Sequence, residues 1–357
     1  MPAPADPAAV DLVTRMVAIP SLSGDEAALA EFLVERMTAL GFTQAGVDAA
    51  GNAVGRMGTG ARQLVLLGHM DTVPGVVPLR TENGRLFGRG SVDAKGPLAA
   101  FVSAVARVGP VPGWTLVVVG AVEEEAPTSK GARFAAGCFA PEACVIGEPS
   151  GWQALTLGYK GRMLLRYRLV QPLGHSAGPE RAPAEAGVEF WNQVHALAAA
   201  HNAGREQLFE RVLPSLLAFR TDDDGLHQTV ALRVSLRTPE DFDADAWLAQ
   251  LRALAVPADL ETDECVPAWR GGKQTPLVRA FLPAIRAAGG NPAFKHKTGT
   301  ADMNVVGPAW NCPILAYGPG DSKLDHTPNE HLELAEYLRS IAVLRAALAA
   351  FCAAASA

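Results

Sequence analysis

Three near-continuous hydrophobic runs, each ending on a histidine or a glutamate, constrain this 357-residue chain more than any other feature. Residues 64–67 lead into Gly68-His69-Met70-Asp71. Residues 115–119 continue through Val122 to Glu123-Glu124-Glu125, and residues 144–146 lead to Gly147-Glu148-Pro149. A strand that is apolar on both faces must be covered on both, which is the habit of parallel sheets sandwiched between helices. Helical patterns separate the runs, over residues 8–18, 25–40, 95–107 and 129–136. Ser23 and Glu26 have the spacing of a capping box for the second helix, and Gly41 stops it. A β-α-β-α-β order of this kind predicts a mainly parallel, doubly wound α/β sheet.

The periodicity changes after Gly161. Leu165, Tyr167 and Leu169 alternate with Arg166, Arg168 and Val170, and Val230, Leu232, Val234 and Leu236 alternate with Ala231, Arg233, Ser235 and Arg237. Alternation marks strands with one solvated face, the antiparallel pattern. Two amphipathic helices interleave with them. In residues 184–200 the expected buried face is Val188, Trp191, Val194 and Leu197 or Ala198; in residues 244–254 it is Trp247, Leu248, Leu251 and Leu254. With short strands at 215–219 and 259–262, residues 163–271 read β-α-β-β-α-β, a ferredoxin-like α+β unit. The helix–strand habit returns with a helix at 276–288 and a strand at 313–317. The expected organisation is therefore a discontinuous larger domain, 1–162 and 272–357, with 163–271 inserted.

Composition narrows the function classes. Charged residues are 19% of the chain, hydrophobic residues 49%, and the net charge is −6, which argues against disorder and gives no basis for nucleic-acid binding. The five cysteines are scattered and form no CxxC pair, so neither a disulfide framework nor a thiolate zinc site is expected. The N-terminus has no basic start followed by an apolar run, and the longest uncharged stretch, 303–320, contains three prolines. A soluble, cytoplasmic protein with no membrane partner is the expectation.

The chemistry follows from position. In open α/β sheets, ligands collect at the carboxyl ends of the strands. Here His69, the glutamates 123–125 and Glu148 follow three strands. A fourth strand, 313–317, is followed by Asp325-His326-Thr327, and a glycine-rich loop, Gly88 to Gly96, carries Asp93 just before a helix. Histidines with carboxylates and no cysteine suit zinc, cobalt or manganese in a hydrolytic site. Asp71, two residues after His69, can accept the ring N–H not used for metal. Taken singly, a histidine after a strand reads as a hydrogen-bonded core residue and three glutamates as a solvated face. Gathered at one sheet edge, they outweigh those readings.

His69-Met70-Asp71, Gly90 to Gly96, Glu123-Glu124-Glu125, Gly147-Glu148-Pro149-Ser150 and His326 to Glu330 resemble, in order and spacing, the dinuclear-metal aminoacylase/carboxypeptidase G-type family. Acetylornithine deacetylase and succinyl-diaminopimelate desuccinylase belong to it. The resemblance implies two divalent cations, zinc first and cobalt as the alternative. It places His69 and Glu148 on one, Glu125 and His326 on the other, and Asp93 between them. It makes Glu124 the general base and Asp71 the residue that orients His69. It also makes the inserted unit a lid or dimerisation domain, so that a homodimer is expected. His175 would reach a partner's site to hydrogen-bond the oxyanion, and Arg237 would hold a substrate carboxylate; apart from the resemblance, they read as a turn residue and an exposed strand arginine.

Lys297 to Asn304 and Ala316 to Ser322 look like one branch of that family. Its members release lysine or ornithine from the C-terminal glutamate of an acidic amino-group carrier protein, in lysine and arginine biosynthesis. Such a partner requires local positive charge. Lys160, Arg162, Arg166, Arg168, Arg181, Arg270, Lys273, Lys295 and Lys297 are the candidates. The competing readings are a deacylase or dipeptidase acting on free small substrates, and a metal- or ligand-binding protein without activity.

Overall fold

In the computed structural model, which describes residues 6–354 apart from 176, 177 and 179, the apolar runs are the inner strands of one sheet. Its order is Gln44–Val47, Ala53–Met57, Trp114–Ala121, Arg62–His69, Ala143–Gly147, Ile314–Ala316 and Ala154–Tyr159. The four strands from Trp114–Ala121 to Ile314–Ala316 are mutually parallel, and the strands next to them on either side, Ala53–Met57 and Ala154–Tyr159, are antiparallel to them. Every residue of Trp114–Ala121 and Ala143–Gly147 is buried, which is why these runs do not alternate.

Contacts divide the chain into two units. The larger comprises the chain through Gly158, Gly271–His296 and the segment from Ala301 on; the smaller is Tyr159–Arg270 with Lys297–Thr300. In the larger unit, helix Lys95–Val108 is buried continuously from Lys95 to Val105. Helix Leu334–Ala354 packs against it and against Pro276–Ala287. By length and composition Leu334–Ala354 is apolar enough to cross a membrane, but Ile341, Leu344, Leu348 and Phe351 lie in the core. Gly131, at the start of helix Lys130–Cys138, is required by close approach. A Cβ there would lie 2.3 Å from Asn52 Oδ1 and 2.5 Å from the Val122 nitrogen.

The smaller unit is a four-stranded antiparallel sheet in the order Leu213–Asp223, His227–Thr238, Gly161–Pro172, Asp259–Val266, with helices Pro183–Asn202 and Ala244–Ala255. The alternation is realised: Leu165, Tyr167 and Leu169 join Val230, Leu232, Val234 and Leu236 in its core, while Arg166 and Arg168 face solvent. One helical stripe differs from expectation. Pro183–Asn202 buries Gly187, Phe190, Val194 and Ala198, and Val188 is 49% exposed. Leu254 of the second helix is likewise exposed, with Ala255 buried in its place.

Candidate metal centre

The carboxyl ends of the parallel strands bring the larger unit's polar residues together. Arg62–His69 ends on His69, which is almost fully buried. Its Nε2 lies 3.2 Å from Asp93 Oδ1 and 3.7 Å from Glu148 Oε1. His326, after the short 3-10 helix Ser322–Leu324, sets Nε2 3.0 Å from Asp93 Oδ2 and 2.9 Å from Glu125 Oε1. Asp93 thus faces a histidine with each oxygen. Donor atoms of His69, Asp93 and Glu125 all lie within 4.8 Å of one another.

Asp71 organises the rest. Its Oδ1 accepts the Glu124 N–H at 3.0 Å, and its Oδ2 accepts the Glu125 N–H at 2.9 Å and the Ser23 hydroxyl at 2.7 Å. Both its backbone oxygen, at 3.0 Å, and its carboxylate, at 3.4 Å, approach Nδ1 of His69, leaving Nε2 for the site. Glu123 has φ +58°, the left-handed region that non-glycine residues rarely occupy. Its side chain turns to Thr128 and Lys130, away from the histidines and Asp93. Buried Glu330 accepts the N–H groups of Val92 and Asp93 and the Arg89 guanidinium.

The electrostatics are those of a crowded anionic pocket. Burial pushes Glu124 well above the usual carboxylate range, opposed by His69 and reinforced by Asp302, Glu148 and Glu125. Asp302, also buried, is pushed up to about 8, chiefly by burial. Burial works against a charged His69, but its bonds to Asp71 and Asp93 win and raise it well above the ordinary imidazole value. Hydrogen bonds to Asp93 and Glu125 raise His326 to about 10. Burial opposes ionisation of Asp93 as well, and its two histidine partners hold it far below the usual range. Without cations the histidines carry protons that offset the carboxylates. Divalent cations supply that positive charge directly, so hard oxygen and imidazole donors in this array fit them well.

His175 and Arg237 belong to the smaller unit. His175 is exposed, and its carbonyl accepts the Gly178 N–H. Arg237, near the end of His227–Thr238, donates to Thr300 Oγ1 at 3.1 Å. Several supporting residues are not assigned to the site from sequence: Ser23, Glu26, Arg89, Asp302 and Glu330. Ser23 and Glu26 read as a helix cap instead, while Arg89, Asp302 and Glu330 each lie inside a motif that the sequence marks, the Gly88 to Gly96 loop, Lys297 to Asn304 and His326 to Glu330.

Most of the candidate docking cations are already engaged. Arg162 pairs with Glu264 at 2.7 Å, Arg166 with Glu261 at 2.9 Å, and Arg270 with Glu240 at 3.1 Å. Arg181 pairs with Glu189. Lys160 is buried against the carbonyls of Leu208, Phe209 and Arg211, and Lys295 donates to the Ser150 carbonyl at 2.7 Å. Their positive charge is largely neutralised or sequestered within the chain.

Histidines and carboxylates converging at the carboxyl ends of parallel strands, with a glutamate beside them, form a site suited to a metal-dependent hydrolase. The chain belongs to peptidase family M20/M25/M40, whose model matches residues 65–350. It is 47% identical to a protein of Deinococcus radiodurans named LysW-lysine hydrolase, over 97% of this chain and 98% of the relative. It is 39% identical to one of Thermococcus kodakarensis named as a LysW-lysine/LysW-ornithine hydrolase, over 94% and 90%. Among solved structures it resembles an M20 family metallo-carboxypeptidase of Sulfolobus solfataricus, with a TM-score of 0.78, 16% identity and coverage of 98% and 100%. A tripeptidase of Staphylococcus aureus gives 0.77 at 18% identity, over 96% and 98%. At these identities the structural likeness establishes the fold.

Proposed function

We propose that this protein hydrolyses the amide joining lysine or ornithine to the C-terminal glutamate of an acidic amino-group carrier protein, in the cytoplasm, as a step of lysine and arginine biosynthesis. The observation that carries the reading is the full-length similarity to the LysW-lysine hydrolase together with the intact array around Asp93. In this reading His69 and Glu148 hold one cation, Glu125 and His326 the other, and Asp93 serves both. Zinc suits the donors, with cobalt as the alternative. When bound, two such cations supply Lewis acidity at the scissile carbonyl and lower the cost of deprotonating water.

The chain's own residues do the remaining work. Glu124 takes the proton of the attacking water and returns it to the departing amine, a role that suits a carboxylate whose proton affinity is raised by burial. Asp71 fixes the His69 ring and the backbone of Glu124 and Glu125. Arg237 is assigned to a substrate carboxylate, for which a guanidinium fork is well shaped, and His175 to the developing oxyanion.

The smaller unit is assigned as lid and dimerisation element. Leu213–Asp223 is the outer strand of its sheet and exposes Leu216, Leu217 and Phe219. Beside it Val188, Asn192 and Phe219 line a groove of about 570 Å³. An exposed outer strand carrying Leu216, Leu217 and Phe219 favours pairing with a second copy.

The test is turnover of carrier-linked lysine and ornithine beside free N-acetyl-lysine and N-acetylornithine. Glu124→Gln should lower kcat by about 10³-fold, within the usual range for loss of a general base, and retain bound metal. Equal kcat/KM on carrier-linked and free substrates would remove the carrier from the reading. An active Glu124→Gln variant would remove the base.

A further inference from the structure

The loop between the first two helices supplies none of the proposed ligands, yet it grips the ends of two of the strands that carry them. Ser21 donates to the Met70 carbonyl at 2.7 Å and accepts the Thr72 N–H at 2.9 Å, which fastens the loop to the end of Arg62–His69. Ser23 donates to Asp71 at 2.7 Å. Glu26 then crosses to the neighbouring strand end, where its Oε1 accepts the Glu123 N–H at 3.0 Å while also accepting that of Gly24 at 3.0 Å.

The capping box expected at Ser23 and Glu26 therefore does not form. Helix Ala27–Ala39 begins three residues later than that box requires, with Glu26 at its N-cap position and no side-chain cap, and the Ser23 and Glu26 side chains bond to the site.

Together with Asp71, Glu26 completes a pattern. Three successive amides, Glu123, Glu124 and Glu125, each donate to a carboxylate: the first to Glu26, the other two to Asp71. The first belongs to the residue with φ +58°. A glutamate in that region costs on the order of 1–2 kcal/mol and persists only where its surroundings hold it there. The turn at Glu123 sends its own side chain to Thr128 and Lys130 and leaves Glu125 against His326.

We propose that Glu26 and Ser23 are positioning residues that set this turn, aiming Glu124 at the reacting water and Glu125 at the cation. The inference rests on the roles given to Glu124 and Glu125 above. Glu26 acts as a hydrogen-bond acceptor, not as a charge, because a negative group beside Asp71 gains nothing from its charge. That separates it from a merely structural carboxylate.

The experiment compares Glu26→Ala, Glu26→Gln, Ser23→Ala and Glu124→Gln in the full chain. Glu26→Ala should lower kcat on carrier-linked lysine by about 10- to 100-fold with KM within about twofold, the scale of a sub-ångström misplacement at a reacting centre. Metal content should match the wild type. In metal-free protein, amide hydrogen exchange of the segment 122–128 should rise by about tenfold or more, with the strand Arg62–His69 unchanged.

Glu26→Gln, which keeps Oε1 as acceptor, should restore both readouts to within about threefold of wild type. Ser23→Ala frees one bond to Asp71 and should give a smaller loss of the same kind, and it serves if Glu26→Ala does not fold. Wild-type kcat and exchange in Glu26→Ala, or equal damage from Glu26→Gln, would overturn the proposal. Turnover surviving in Glu124→Gln would sink the catalytic reading while leaving the exchange result to decide whether Glu26 holds the turn.

Discussion

Replacing Asp71 by asparagine tests the organisation of the site at its most connected point. The change is nearly isosteric, but both carboxylate oxygens are acceptors: Oδ1 for the Glu124 N–H, Oδ2 for the Glu125 N–H and the Ser23 hydroxyl. An amide offers one acceptor and one donor, so in either orientation its NH₂ faces a backbone N–H. One buried amide loses its partner, and the remaining bonds are no longer made to an ionised group. His69, Ser23 and the Glu125 amide hold Asp71 below the usual carboxylate range against burial, which raises it, so that charge is present at neutral pH. An unsatisfied buried N–H and the weakened charged bonds together cost roughly 2–4 kcal/mol.

For a unit of this size that corresponds to a fall in Tm of roughly 5–15 °C. The same change loosens the backbone of Glu124 and Glu125, and kcat should fall by about 10²-fold. Scanning calorimetry of metal-free and metal-loaded protein, with kcat on carrier-linked lysine, measures both. An Asp71→Asn protein with unchanged Tm and kcat within threefold of wild type would refute the reasoning.

Two further outcomes follow from the structure. In metal-free protein, His326 has its pKa raised to about 10 by Asp93 and Glu125. A raised folded value means that its stabilising protonation is complete below the unfolded imidazole value of about 6.5 and is lost as pH climbs toward 10. The urea midpoint of chelator-treated protein should therefore fall between pH 6.5 and 10, by a modest amount because the ring is half exposed; a flat profile would contradict the ion-pair assignment. At the outer strand, Leu217→Lys with Phe219→Asp should convert a dimer to a monomer by light scattering without lowering the Tm of the larger unit, and an unchanged mass would remove that strand from the interface.

The four parallel strands were legible because both their faces are covered, which writes an uninterrupted apolar run into the sequence. The residues that follow those strands had to share one sheet edge, and His69, Asp93, Glu125, Glu148 and His326 do converge. What escaped depends on contacts that local rules do not weigh. The Ser23–Glu26 spacing satisfies a local capping rule, but the helix starts at Ala27 and both side chains bond to the site instead. Helix Pro183–Asn202 has two adjacent apolar stripes, and only packing decides that Phe190 goes in and Val188 stays out. Arg166 reads as a free cation until the register sets it opposite Glu261. Helix Leu334–Ala354 is covered on several sides, which erases the amphipathic stripe that would have announced it.

The place of Ile314–Ala316 in the sheet bears on how the protein is made. It lies between Ala143–Gly147 and Ala154–Tyr159, two strands separated by only a short loop in the chain. On the ribosome, those two strands emerge with the slot between them vacant, and the piece that fills it arrives only after the whole inserted unit has been translated. At synthesis speeds of roughly 5–20 residues per second, that leaves an open apolar sheet edge for on the order of ten seconds or more. The inserted unit can fold meanwhile as its own antiparallel core, whereas His326 joins Asp93 only at the end of synthesis. Completion of the candidate metal site is thereby tied to completion of the sheet, and a chain truncated before residue 314 lacks both.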